Sequence, residues 1–260
     1  MKVALCLSGQ TRNFQKCFDS QKKYILSVLN PDIFIHTWSY RGTSKLLPCH
    51  CKEYNILDFQ THLIPENRTH AQNLLEYYDP KFCLIEYPDH KFFLDKISSS
   101  KTQNAKYWFN GLMMYYSIYM SNSLKKQYET FANFTYDLVI RCRMDLCFED
   151  ANFGDTVKDA IENNTIYLAP NENIDRPFNQ QMKKELNHKG ISYMPNDQFA
   201  YGSSEAMDYY SSVYTKFADN IDYAPHHGEA TLSVHLWKKN YSKFKIIKTN
   251  PDIKMKINSW

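Results

Sequence analysis

Apolar residues occur in this chain as short continuous runs separated by stripes of helical spacing. Val3 to Leu7 is an apolar run ended by Ser8-Gly9, the pattern of a buried first strand that delivers its C-terminal end to a loop. Phe14, Cys17, Phe18, Tyr24, Ile25 and Leu29 then recur at helical intervals, and "NPDIFIHTW" supplies a second buried strand after an Asn-Pro break. Strand, helix and strand in this order predict a βαβ opening and an α/β protein.

Residues 39–80 are dominated by Gly, Ser, Pro and polar residues, with a helix predicted at "THAQNLLEYY", and "KFCLIEYP" makes a third strand. The longest helical pattern is "NAKYWFNGLMMYYSIYMSNSLKKQYETF", with Trp108, Leu112, Tyr115, Tyr116, Tyr119 and Leu124 on or near one stripe that reads as core. "YDLVIRCRMDLCF" follows as a single strand, then a helical "DTVKDAIEN", a short strand "TIYLAP" and a polar stretch, "NENIDRPFNQQMKKELNHKG", that reads as a long binding loop. "DQFAYGSSEAMDYYSSVYTKF" predicts strand, turn and helix, and "HGEATLSVHLWKKN" a helix with Glu229 in its first turn. A basic tail from Lys238 onward reads as a solvated face.

In a strand, alternate side chains face opposite sides. Over "YDLVIRCRMDLCF" Leu138, Ile140, Cys142, Met144, Leu146 and Phe148 form one apolar face, while Asp137, Val139, Arg141, Arg143 and Asp145 form the other. Two cations and an anion therefore gather at the C-terminal half of a central strand, where open α/β sheets bind ligands. A structural ion pair between Arg143 and Asp145 is the alternative reading. A carboxylate at a strand end can hold a divalent cation, and flanking guanidiniums suit phosphate oxygens. Together they fit a nucleotide diphosphate better than a neutral metabolite.

Composition narrows the partners. With 31 basic and 28 acidic residues the formal charge is +3, too even for a general nucleic-acid binder. Seven cysteines without regular spacing fit reduced thiols, and Cys6, Cys83, Cys142 and Cys147 read as core residues. "PCHC" at 48–51 is at most half a metal site. The first apolar run is too short for a secretion signal and no run reaches the length of a membrane span, so a cytoplasmic location is expected and the N-x-[ST] triplets read as chance.

Taken together, "VALCLSGQTRNF", "YDLVIRCRMDLCF" and "NDQFAYGSSEAMDYY" resemble nucleotide-sugar-dependent glycosyltransferases of the GT-A fold, with the nearest likeness to those of bacterial surface-polysaccharide loci and of large DNA viruses such as chloroviruses. The resemblance implies one domain over 1–260, with a mixed, mostly parallel sheet flanked by helices. A nucleotide-binding part would cover about 1–148 and an acceptor-side part about 149–260; a viral source would place the protein in the host cytoplasm. It implies a UDP- or GDP-type sugar donor, a glycan acceptor and Mn²⁺ or Mg²⁺. That family closes its central strand with Asp-x-Asp; here the triplet is Arg143-Met144-Asp145, which leaves Asp145 as the metal ligand or, alternatively, has Arg143 stabilise the diphosphate directly as metal-independent members do with basic residues.

By the same resemblance Ser8, Gly9, Gln10 and Arg12 would grip the nucleotide with Arg141 and Arg143, Thr11 being alternatively an ordinary helix cap. Asp197 would be the base for an inverting transfer, unless Asn196-Asp197 is only a turn; Glu229 is its rival. His235, or His226 and His227, would add a late metal ligand. Two other functions compete. A sugar nucleotidyltransferase would need a longer Gly-rich loop than the single Gly9 provides, and a non-catalytic glycan-binding module is suggested by 20 tyrosines and 16 phenylalanines.

Overall fold

The computed structural model describes residues 1–41, 64–65, 68–98, 105–170, 177–188, 195–221, 228–237 and 247–257. The opening is the predicted βαβ unit. Strand β1 (Val3–Ser8) leads to helix α1, which runs as Phe14–Gln21, continues through a π-helical Lys22–Leu26 and closes with Ser27–Leu29. Asn30 then turns the chain at φ +43° into β2 (Asp32–Trp38), which lies parallel to β1.

Two short strands follow, β3 (Tyr40–Arg41) and β4 (Ile64–Pro65), and then helix α2 (Arg68–Tyr78), strand β5 (Phe82–Glu86), helix α3 (His90–Ser98) and the long helix α4 (Ala105–Ala132). Two residues separate strand β6 (Leu138–Arg143) from β7 (Leu146–Ala151), so the segment read as one strand is two strands with a turn at Met144-Asp145. The apolar face remains continuous across that turn, because Leu138, Ile140, Cys142, Met144, Leu146 and Phe148 all join one core cluster. That continuity is what hid the break.

Helix α5 (Thr156–Glu162) and strand β8 (Ile166–Leu168) come next, and then helix α6 (Pro177–His188) occupies most of the stretch expected as a loop. Proline at a first helical position is compatible with a helix start, and Leu186 anchors the helix in the core. Strand β9 (Phe199–Gly202), helix α7 (Ser204–Ser211) capped by the Ser203 hydroxyl, α8 (Phe217–Ile221), α9 (Gly228–Trp237), β10 (Ile247–Thr249) and β11 (Ile253–Ile257) complete the chain. The basic tail therefore also contributes structure. Ile253 and Met255 are buried against β7 while Lys254 and Lys256 face water, as strand alternation requires.

The fold is α/β: a seven-stranded mixed sheet in the order β10-β8-β9-β6-β1-β2-β5, parallel except where β9 runs against β6 and β8. Gly202 of β9 is needed for close approach, since a Cβ there would stand 2.9 Å from the Thr165 carbonyl oxygen. Two apolar layers cover the sheet. On one face Ala4, Cys6, Phe34 and Val139 pack with α4 and α7; on the other Leu5, Leu7, Ile35 and Ile140 pack with α1 and α2. Among the described residues, Cys6, Cys17, Cys83, Cys142 and Cys147 form no disulfide, and no helix is long and apolar enough to cross a membrane.

Candidate functional site

The sheet order creates a crevice before any side chain is considered. From β1 the chain moves outward through β2 to β5 and then returns to β6 on the opposite side of β1. The carboxyl ends of β1 and β6 therefore stand side by side where the strand order reverses, the topological switch point where open α/β sheets take ligands. Register fixes who stands there. Ser8 lies beside His36 on one side and Arg143 on the other, and one row deeper Cys6 lies between Phe34 and Arg141.

The loop after β1 and the turn after β6 meet in an ion cluster. Arg12 Nη1 donates to Asp145 Oδ2 at 2.7 Å, while Arg143 donates from Nε to Oδ1 at 2.9 Å and from Nη2 to Oδ2 at 2.7 Å. Asp145 is 1% exposed, whereas the arginine side chains keep 22% and 19% of their surface. Burial by itself pushes the Asp145 pKa up, but the Arg143 and Arg12 charges and hydrogen bonds overcome it and hold the carboxyl below its ordinary value. The anion thus holds two cations in place, and the three groups together keep a net positive charge at the mouth of the crevice.

Several residues brace this cluster. The Gln21 amide, buried on α1, donates to the carbonyls of Met144 at 3.1 Å and Leu146 at 2.9 Å, and Tyr78 OH donates to Gln21 Oε1. On the other side Gly9 has φ +105°, a conformation that favours glycine, with its N–H donating to Ser117 Oγ at 2.7 Å and its carbonyl accepting from Thr37 Oγ1. Ser117 Oγ is 2.8 Å from His36 Nδ1, and His36 Nε2 is 2.7 Å from Glu86. Burial lowers the His36 pKa against the pull of Glu86; a neutral ring donating from Nε2 and accepting at Nδ1 accounts for both contacts. Ser117 is buried, so the chain Glu86–His36–Ser117 fixes the Gly9 loop and is no nucleophilic triad.

Arg141 occupies the deeper row and is 2% exposed. Its Nη1 donates to the Asp197 carbonyl, while among the described residues its Nε and Nη2 find no hydrogen-bond partner. Asn196 forms the strand-leading turn considered from the sequence, with Gln198 N–H donating to its Oδ1. Asp197's charge acts on Arg143, Tyr115 and Tyr210, and Glu229, in the first turn of α9, also acts on Tyr115. Both candidate bases therefore lie within electrostatic range of one buried tyrosine. A pocket of about 190 Å³ starts at Thr11, one residue from Arg12, and is lined further by Trp38, Arg68 and His70.

The predicted site residues separate into two groups. Ser8, Gly9, Gln10, Arg12, Arg141, Arg143, Asp145 and Asp197 collect at the crevice, with Gln10 Oε1 accepting from Arg12 Nε at 3.3 Å. Asn13 precedes α1 without a side-chain cap, and the Thr11 carbonyl accepts from Phe14 N–H. His235 is packed as a core histidine, stacked on Tyr209, with Nε2 2.9 Å from the Tyr209 carbonyl and Nδ1 3.3 Å from Asn220 Nδ2. His226, His227 and the "PCHC" segment lie outside the described residues.

A divalent cation does not fit Asp145 as it is held here. Both carboxylate oxygens accept from guanidinium groups, so a metal would have to displace Arg12 and stand beside Arg143. Among the described residues no group of three or more His, Cys, Asp or Glu side chains is placed to hold a metal ion. Gln21, Ser117, His36 and Tyr210 were not singled out from the sequence. Gln21 and Ser117 are polar residues on otherwise apolar helix faces, and that misfit is the signal that marks them.

No protein-family model matches the chain, and no curated protein matches it. Among solved structures it is similar to core-mannan synthase A from Aspergillus fumigatus in its Mn/GDP form, at 12% identity and TM-score 0.46, covering 99% of this chain and 75% of that one. It is also similar to mouse xyloside xylosyltransferase 1 in its apo form, at 9% identity and TM-score 0.42, covering 94% and 84%. A third is the galactosyltransferase LgtC in complex with donor and acceptor sugar analogues, at 8% identity and TM-score 0.48, covering 96% and 73%. Identities this low and scores below 0.5 leave the chemistry to be read from the site's own residues.

Proposed function

We propose that this chain is a glycosyltransferase of GT-A type, moving a sugar from a UDP- or GDP-type donor to a hydroxyl of a glycan acceptor. The observation that carries the reading is the Arg12–Asp145–Arg143 cluster at the switch point between β1 and β6. Guanidinium N–H groups not used on Asp145 are available to phosphate oxygens, and the pocket beginning at Thr11 takes the nucleoside. Breaking the sugar-phosphate bond builds negative charge on the departing diphosphate, and cations fixed in advance by Asp145 stabilise it as it forms.

Asp145 is thus a positioning residue in this account. The Mn²⁺ or Mg²⁺ implied by the resemblance does not fit its present contacts. Asp197 is the proposed base for an inverting transfer, because its charge reaches Arg143 beside the leaving group; Glu229 takes second place. A nucleotidyltransferase is disfavoured by the short β1 loop, and a glycan-binding module gives no reason for three arginines at the strand ends.

The test is a panel of nucleotide sugars offered with mixed glycan acceptors, reading release of nucleoside diphosphate. One donor should be consumed, and Asp197→Asn should lower turnover by about 100-fold or more. Turnover unchanged in both Asp197→Asn and Glu229→Gln would remove the assigned base, and consumption of no donor would favour the binding module.

A further inference from the structure

Arg143 and Arg141 are two residues apart on β6, and the structure uses them differently. Arg143 turns its Nε and Nη2 edge onto Asp145, each nitrogen meeting its own carboxylate oxygen. Arg141 has its Nη1 tied to the Asp197 carbonyl, and the same Nε and Nη2 edge meets no acceptor among the described residues. At 2% exposure that edge is also closed to bulk water. A buried guanidinium with two N–H groups uncompensated is destabilising unless something supplies the missing acceptors. The Tyr210 hydroxyl, within reach of the Arg141 charge, is likewise buried and without a partner among the described residues.

We propose that the Nε and Nη2 edge of Arg141 is a carboxylate-binding subsite, and that a sugar substrate of this protein carries a carboxylate which this edge grips with two parallel hydrogen bonds. The neighbouring pair supplies the template, since Arg143 already makes this fork with Asp145. Charge favours a carboxylate over a phosphate. One guanidinium neutralises a monoanion; with the surplus charge of the Arg12–Asp145–Arg143 cluster taken by the diphosphate of the proposed donor, a dianion here would leave excess negative charge beside Asp197. Ligand entry has to displace the turn that carries Asp197, whose carbonyl now holds the group. That the carboxylate belongs to a sugar rests on the glycosyltransferase reading; the subsite itself does not.

Two matched pairs of probes separate the sources. UDP-glucuronic acid against UDP-glucose tests the donor, and D-glucuronate against D-glucose, added to protein loaded with UDP or GDP, tests the acceptor; affinities are read by ligand-observed NMR on the full chain. In one pair the acid should bind about tenfold or more tightly than its neutral partner. Arg141→Met should abolish that preference, and Arg141→Lys, which keeps the charge but loses the fork, should restore only part of it. Equal affinity within both pairs overturns the subsite, as does a preference that survives Arg141→Met or, if that variant fails to fold, survives Arg141→Lys intact. Failure of UDP and GDP to bind would count against the transferase reading alone, because the free glucuronate and glucose pair can be compared without nucleotide.

Discussion

Asp145 shows how a residue's role depends on partners that its own segment does not display. Its sequence neighbours suggest a strand-end carboxylate open to a cation, yet its oxygens are filled by Arg143, two residues earlier, and by Arg12 from a distant loop. Because the folded pKa lies below the unfolded value of about 3.9, the cluster's stabilisation is complete above about pH 4 and is lost as pH falls through the folded pKa. Asp145→Asn should therefore destabilise the protein by about 1–3 kcal/mol at neutral pH in urea unfolding, and the gap to wild type should narrow as the pH is taken below about 4. A gap independent of pH would mean the carboxylate is not held as a charged partner. Arg12 was legible as a donor near a ligand loop; its pairing across the crevice was not, since nothing local connects residues 12 and 145.

At the scale of elements, continuous apolar runs predicted the buried strands and helical stripes predicted the helices. Strands β1, β2 and β5, together with α4, follow their sequence patterns closely. Two failures have physical causes. Helix α6 presents few apolar side chains, so its pattern resembles a loop even though Leu186 is buried. The β6–β7 turn was invisible because both strands bury the same face, and Gln21, on a different element, satisfies the turn's carbonyls. Gly202→Ala should cost about 1–3 kcal/mol in thermal or urea unfolding, since its Cβ would meet the Thr165 backbone rather than a side chain that can move. Ser117→Ala should weaken nucleoside diphosphate affinity several-fold, about 1 kcal/mol, by releasing the Gly9 N–H; unchanged affinity in a calorimetric titration would show that the loop is held otherwise.

Across the whole molecule, the mixed sheet turns separate signals into a site. Loops that begin in the first and sixth strands become neighbours only because the chain reverses its direction of growth at β1. The sequence shows the βαβ opening, but it does not state that β6 returns to β1 rather than extending the sheet beyond β5, and the meeting of Arg12 with Asp145 depends on that return. The antiparallel β9 then brings the Asp197 turn onto the same rim, where its carbonyl engages Arg141. The most direct test is the melting temperature of the full chain with UDP and with GDP, in the presence of EDTA, for wild type and for Arg12→Ala and Arg143→Ala. The account predicts a rise with one nucleoside diphosphate that persists in EDTA and disappears in both variants. No rise with either nucleotide, or a rise that EDTA abolishes, would contradict a diphosphate site built from these guanidinium groups.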